Sequence, residues 1–183
     1  MPNILIVHGK ENTPDGNWFP WLKTEMEKLG HKVFAPKFPT PENQTLGGWM
    51  DVFEEYKEFV TPDSIVVGHS LGAPFLLNIL EKTPVRAAFF VAGFVDNPVD
   101  PTVASFCRPF DWGKIRANCP AFYVFHSDND PYFGLEKGDE LVRNLNTDLI
   151  FVKGAGHFNL VTGYDRFDLL AEKMKDVCQK TLY

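Results

Sequence analysis

The sequence predicts an α/β fold: six parallel strands in one sheet, with helices on both faces. Six short apolar runs are rich in β-branched or aromatic residues and lack polar alternation, the pattern of strands buried on both sides. Amphipathic stretches lie between them, and each strand–helix–strand unit makes a right-handed crossover. A chain of 183 residues suits one compact unit, so residues 1–183 are expected to form one domain.

The elements follow in order. The first strand, Ile4–Val7, runs into His8-Gly9. Asn17 is expected to cap a helix over Trp18–Leu29, with Pro20 in its first turn, where a missing N–H does no harm, and Gly30 as its stop. Lys32–Ala35 is the second strand, and Trp49, Phe53, Tyr56 and Val60 mark one face of the next helix. The third strand, Ser64–Gly68, precedes Leu71–Leu80, which is apolar nearly all round and should be the most buried helix. After the fourth strand, Val85–Val91, comes the longest stretch without a regular pattern. It is expected to form a short cap over a pocket, spanning about 93–112 and bringing Phe94, Phe106, Phe110 and Trp112 as candidate walls. Ala121–His126 is the fifth strand and Asp148–Val152 the sixth. Leu135, Gly138, Val142 and Leu145 define the helix between them, and Phe167, Leu170, Met174 and Val177 the last one.

Composition excludes several roles. Lys plus Arg is 18 and Asp plus Glu is 24, a net charge of −6, and no basic cluster breaks that balance. A phosphate backbone demands the opposite sign, so nucleic acid is not expected as a partner. No secretory signal and no membrane-length apolar run is recognised. Cys107, Cys119 and Cys178 are odd in number and lack a Cys-x-x-Cys spacing, which fits a reducing, cytoplasmic setting.

Gly68-His69-Ser70-Leu71-Gly72 matches G-x-S-x-G between a predicted strand and a predicted helix. That setting is a nucleophile elbow, a sharp turn that raises a serine hydroxyl above the sheet edge. A hydroxyl needs a base to take its proton. His157 stands in the glycine-rich loop Gly154-Ala155-Gly156-His157 after the sixth strand. Among the other histidines, His31 is expected to be solvated in a polar turn, His69 to pack locally and His126 to be structural. The acid that orients the base should come from Ser127-Asp128-Asn129-Asp130-Pro131. Asp130 is favoured because Pro131 fixes the turn behind it, and Asp128 is the alternative. An oxyanion would take backbone N–H groups from Leu71, after the nucleophile, and from Lys10, after Gly9. The Asp-x-Asp stretch does not continue as a calcium loop, and the phosphate-loop, dinucleotide and H-E-x-x-H motifs are absent, so no metal or cofactor is expected.

The order Ser70, Asp130, His157 is that of α/β-hydrolases. Ile4-Leu5-Ile6-Val7-His8-Gly9, Val67 to Gly72, Ser127 to Pro131 and Gly156-His157-Phe158-Asn159 together resemble the small serine hydrolases typified by the retinoblastoma-binding serine hydrolase and its YdeN-like bacterial relatives. Arg108-Pro109-Phe110-Asp111-Trp112 and Lys114 to Pro120 extend the likeness over nearly the whole chain. The resemblance implies Ser70 as nucleophile, Asp130 as acid and His157 as base. It also implies a compact α/β-hydrolase fold lacking the first two strands of the full form, with strand order 2-1-3-4-5-6 and the site where that order reverses. The Leu-x-Cys-x-Glu motif associated with retinoblastoma-protein binding is absent. The expected activity is hydrolysis of a small carboxylic ester, thioester or amide, with a small acyl compound as the partner. A protein-interaction module on the same scaffold is the alternative.

Overall fold

The computed structural model describes residues 1–96 and 100–179. Three residues of the expected cap, 97–99, therefore lie outside the described residues. The strands are β1 (Ile4–Val7), β2 (Val33–Phe34), β3 (Ile65–His69), β4 (Ala87–Val91), β5 (Phe122–His126) and β6 (Leu149–Phe151). They form one parallel sheet in the order β2-β1-β3-β4-β5-β6. The chain leaves β1 for β2 at one edge, then crosses back over β1 to β3. The order therefore reverses beside β1, and the carboxyl ends of β1 and β3 open a crevice there.

Both sheet faces are covered, which explains why the strands lack polar alternation. Leu5, Val7 and Val66 pack on one face with the helices α2 (Leu46–Glu54), α3 (Gly72–Leu80), α4 (Trp112–Asn118) and α5 (Leu135–Leu145). Ile4, Ile6, Ile65 and Val67 pack on the other with α1 (Phe19–Lys28) and α6 (Asp168–Gln179). Every residue of α3 is buried, as its all-round apolarity requires. Each large apolar side chain buried this way contributes about 1.5–3 kcal/mol.

Local signals account for most helix ends. Pro20 sits in the first turn of α1, and Gly30, at φ +89°, follows its end. Thr45 caps α2 by accepting the Gly48 N–H at 3.0 Å. Some expectations need correction. Asn17 does not cap α1: the preceding residue of the helix is Trp18, which has no side-chain cap bond. Asn17 instead takes a left-handed φ of 49°, and its Oδ1 accepts the Leu160 N–H. The face through Tyr56 and Val60 is not continuous helix, because α2 stops at Glu54 and a separate 3₁₀ turn covers Lys57–Phe59. α4 has no counterpart in the sequence pattern. It is seven residues long and buries Ile115 alone, so it has no apolar stripe, and its one local signal is Asp111, which caps it through the Lys114 N–H.

Candidate active site

β3 ends at His69 and α3 begins at Gly72, so Ser70 stands on the turn between them. Its φ is 53°, a left-handed conformation that costs a non-glycine residue about 1–3 kcal/mol. The Ser70 N–H donates to the Val91 carbonyl at 2.9 Å, and the Ser70 carbonyl accepts the Ala73 N–H at 2.9 Å. The flanking glycines serve close approach. A Cβ on Gly68 would lie 2.6 Å from the Gly72 oxygen, and one on Gly72 would lie 2.5 Å from the Val7 oxygen. Gly9 brings the loop after β1 against the same turn, where a Cβ would meet the Ser70 Cβ at 2.9 Å.

The loops after β5 and β6 meet through three successive side chains. Asp128 Oδ1 accepts the Gly154 N–H at 2.7 Å, and Asn129 Oδ1 accepts the Gly156 N–H at 2.7 Å. Asp130 Oδ2 accepts from His157 Nδ1 at 2.7 Å. The Asp130 carboxylate is wholly shielded from solvent, and its Oδ1 takes the Tyr132 and Phe133 N–H groups at 2.9 and 3.2 Å. Both carboxylate oxygens thus face fixed donors, and the bond at Nδ1 leaves His157 Nε2 as the ring nitrogen that Asp130 does not engage. Of the two carboxylates open to the sequence, Asp130 reaches the imidazole and Asp128 braces the loop that carries it. Among the described residues no hydrogen bond joins the Ser70 hydroxyl to His157, although both border one cavity. Such bonds often tighten only when substrate is bound.

The two expected oxyanion donors also border that cavity. Among the described residues neither the Lys10 nor the Leu71 N–H has an acceptor. His8 fixes the peptide that carries the Lys10 N–H. Its Nδ1–H donates to the Gly9 carbonyl at 2.8 Å, while its Nε2 accepts the Phe38 N–H at 3.0 Å. A carbonyl held on one side of a trans peptide turns the N–H to the other side. Burial keeps the His8 pKa below the usual imidazole value, consistent with the neutral ring this bonding requires. The Lys10 ammonium reaches the cap segment, pairing with Asp100 at 2.9 Å and Thr102 at 3.0 Å.

The cavity holds about 610 Å³. Of the four aromatic residues expected as walls, Phe94 lines it, stacked on Phe133 with ring centroids 4.6 Å apart. Phe106, Phe110 and Trp112 do not. Phe106 is buried in the core, its ring 5.0 Å from that of Trp49, and its place in the cap wall is taken by Val103 and Asp100. Phe110 and Trp112 pack on each other at 5.5 Å, away from the cavity.

The remaining histidines are structural. His31 is buried, not solvated, and its Nδ1 lies 3.1 Å from the Pro2 carbonyl. His69 is buried beneath the elbow, and its Nε2–H donates to the His157 carbonyl at 2.8 Å. Burial, reinforced by the nearby His157, lowers its pKa to about 3. His126 is buried with its Nε2 3.3 Å from the Gly93 carbonyl. Sequence reasoning missed the bracing of the His157 loop by Asp128 and Asn129, and the His8 clamp on Gly9.

A strained serine between strand and helix, at the switch point of a parallel sheet and sharing a cavity with a histidine bound to a buried aspartate, defines the α/β-hydrolase class. The family model described as "Serine hydrolase" matches residues 4–176, and the chain belongs to that family. It is 28% identical over 159 residues to "Serine hydrolase RBBP9" of Rattus norvegicus, covering 85% of each chain. It is 27% identical over 161 residues to the YdeN protein of Bacillus subtilis (strain 168), again covering 85% of each. The crystal structure of the B. subtilis ydeN gene product superposes with a TM-score of 0.91 at 25% identity, covering 98% of this chain and 100% of that one.

Proposed function

We propose that the protein cleaves a small carboxylic ester, thioester or amide through an acyl-enzyme on Ser70. The observation that carries this reading is the 2.7 Å bond between His157 Nδ1 and the buried Asp130, with Ser70 strained on the elbow of the same cavity. His157 Nε2 takes the Ser70 proton as Oγ attacks the carbonyl carbon. The Lys10 and Leu71 N–H groups hold the oxyanion, and Asp130 stabilises the imidazolium. The imidazolium returns the proton to the departing oxygen, sulfur or nitrogen as its bond to carbon breaks. Water, activated by the same nitrogen, then releases the acyl group. Phe94, Val103 and Phe133 supply the apolar wall for that group. A cytoplasmic setting belongs to the same proposal, supported by the odd number of cysteines and their lack of a Cys-x-x-Cys spacing.

A fluorophosphonate probe should label the protein at Ser70, mapped by peptide mass spectrometry. Ser70→Ala should abolish labelling and lower kcat on p-nitrophenyl acetate by about 10⁴-fold or more. Wild-type turnover in the purified variant would refute the assignment.

A further inference from the structure

We propose that the cavity reads the leaving group of its substrate through the amides of Asn12, Asn17 and Asn159, and that this group is a neutral polyol or sugar-type alcohol. The proposal rests on the serine hydrolase reading, because His157 is what distinguishes the two ends of the substrate. The imidazolium hands its proton to the departing oxygen, so the leaving group must lie beside the histidine loop. The three asparagines line the cavity there. Asn159 follows His157 by two residues, and Asn17 is bonded to the same loop at Leu160. Asn12 belongs to the turn just before Asn17, its Oδ1 packed against Gly16.

All three amides are oriented in the same sense. A backbone N–H must meet the oxygen of an amide, never its nitrogen. Asn12 Oδ1 takes the Thr13 N–H at 2.8 Å, Asn17 Oδ1 the Leu160 N–H at 3.1 Å, and Asn159 Oδ1 the Thr162 N–H at 3.2 Å. The oxygens are thereby occupied, and the NH₂ groups are left over. None of the three has a partner among the described residues, and that of Asn17 is buried. Asn17 also carries the strained left-handed φ of 49°, a kind of strain that clusters at ligand sites.

NH₂ groups left without a partner in the protein call for a ligand rich in acceptor oxygens. An anion is disfavoured: the Lys10 ammonium is already paired with Asp100, Glu11 also lines the cavity, and the chain carries −6. Hydroxyl and ether oxygens of a neutral alcohol fit the donors without adding charge. Leu71, Phe94, Val103 and Phe133 also line the cavity, and their apolar surface suits the acyl group.

Propyl butyrate and glycerol 1-monobutyrate test this, since they share the acyl group and a three-carbon primary alcohol and differ in two hydroxyls. The wild type should prefer the glycerol ester by about tenfold in kcat/KM, the scale of one or two hydrogen bonds. Asn17→Asp keeps the acceptor for Leu160, and Asn159→Asp keeps that for Thr162, while each removes its NH₂ donors. Each should bring the ratio of the two esters severalfold closer to one. A ratio taken within one preparation is insensitive to partial misfolding. A wild-type ratio near one, or a ratio unchanged in both variants, overturns the proposal while p-nitrophenyl acetate turnover and Ser70 labelling leave the hydrolase reading intact. If the wild type neither turns over any of these esters nor labels at Ser70, the hydrolase reading fails and this inference falls with it.

Discussion

Asp128, Asn129 and Asp130 are consecutive, yet each holds a different point on the loop that carries His157. Asp128 and Asn129 accept backbone N–H groups from Gly154 and Gly156, and only Asp130 accepts from the imidazole. The two carboxylates should therefore respond differently to the same isosteric change. Asp130→Asn leaves an amide whose NH₂ can face Nδ1 and favour the wrong imidazole tautomer, lowering kcat by about 10³–10⁴-fold. Asp128→Asn retains an oxygen for the Gly154 N–H and should change kcat by much less. Side-by-side kinetics on p-nitrophenyl acetate decide it, and the reverse ranking would move the orienting role to Asp128. The loops bearing Ser70, Asp130 and His157 are legible in the sequence because glycine and proline punctuate them beside strong strand signals. What Asp128 and Asn129 bond to is not legible there. Asn129 and Gly156 meet across 27 positions, and no local pattern records such a pair.

Among the elements, the strands are the most legible, because a strand buried on both faces must be an unbroken apolar run. Their ends differ from the expected ones by a residue or two, as at Val85, where the run begins before the ladder does. α4 escapes because seven residues with one buried side chain leave no periodicity. Asn17 misleads because an asparagine before an apolar stretch can cap a helix or take a left-handed turn, and the long-range bond to Leu160 selects the turn. The cap segment misleads for a related reason: Phe94 and Phe106 are equivalent as sequence, but Phe94 meets the cavity while Phe106 inserts between α2 and α3, against Trp49 and Phe75. Truncation should separate them. Phe94→Ala should move the acyl-length optimum on p-nitrophenyl esters, from acetyl to decanoyl, towards longer chains, each added methylene being worth about 0.8 kcal/mol of burial. Phe106→Ala should leave the profile in place and destabilise the fold by about 3–5 kcal/mol, read from urea unfolding. A shifted profile in Phe106→Ala with unchanged stability would return that side chain to the pocket.

Across the whole molecule, the buried neutral histidines tie stability to pH. His8, His69 and His126 all have pKa values lowered chiefly by burial, that of His69 to about 3. His69 has a specific reason to resist protonation: its Nε2–H is committed to the His157 carbonyl, and its buried Nδ1 has no partner among the described residues to accept a second N–H. In the unfolded chain each ring returns to a pKa of about 6.5. Below that value the unfolded state binds protons that the folded state refuses, so stability present above pH 6.5 is lost as pH falls. For His69 the loss continues down to about pH 3. From pH 7 to pH 5 its share comes to about 2 kcal/mol, a large part of a typical net stability of about 5–15 kcal/mol. That window lies above the ordinary carboxylate range, which separates the effect from acid unfolding driven by Asp and Glu. His69→Gln keeps an N–H donor for the His157 carbonyl and removes the titration. Urea unfolding at both pH values should show the wild type losing about 2 kcal/mol more than the variant between pH 7 and pH 5. The comparison is of differences across pH, so a uniform destabilisation by the substitution does not affect it. Equal losses in the two proteins would mean that His69 titrates in the folded state as it does in the unfolded chain, and that its burial beneath the elbow does not hold it neutral.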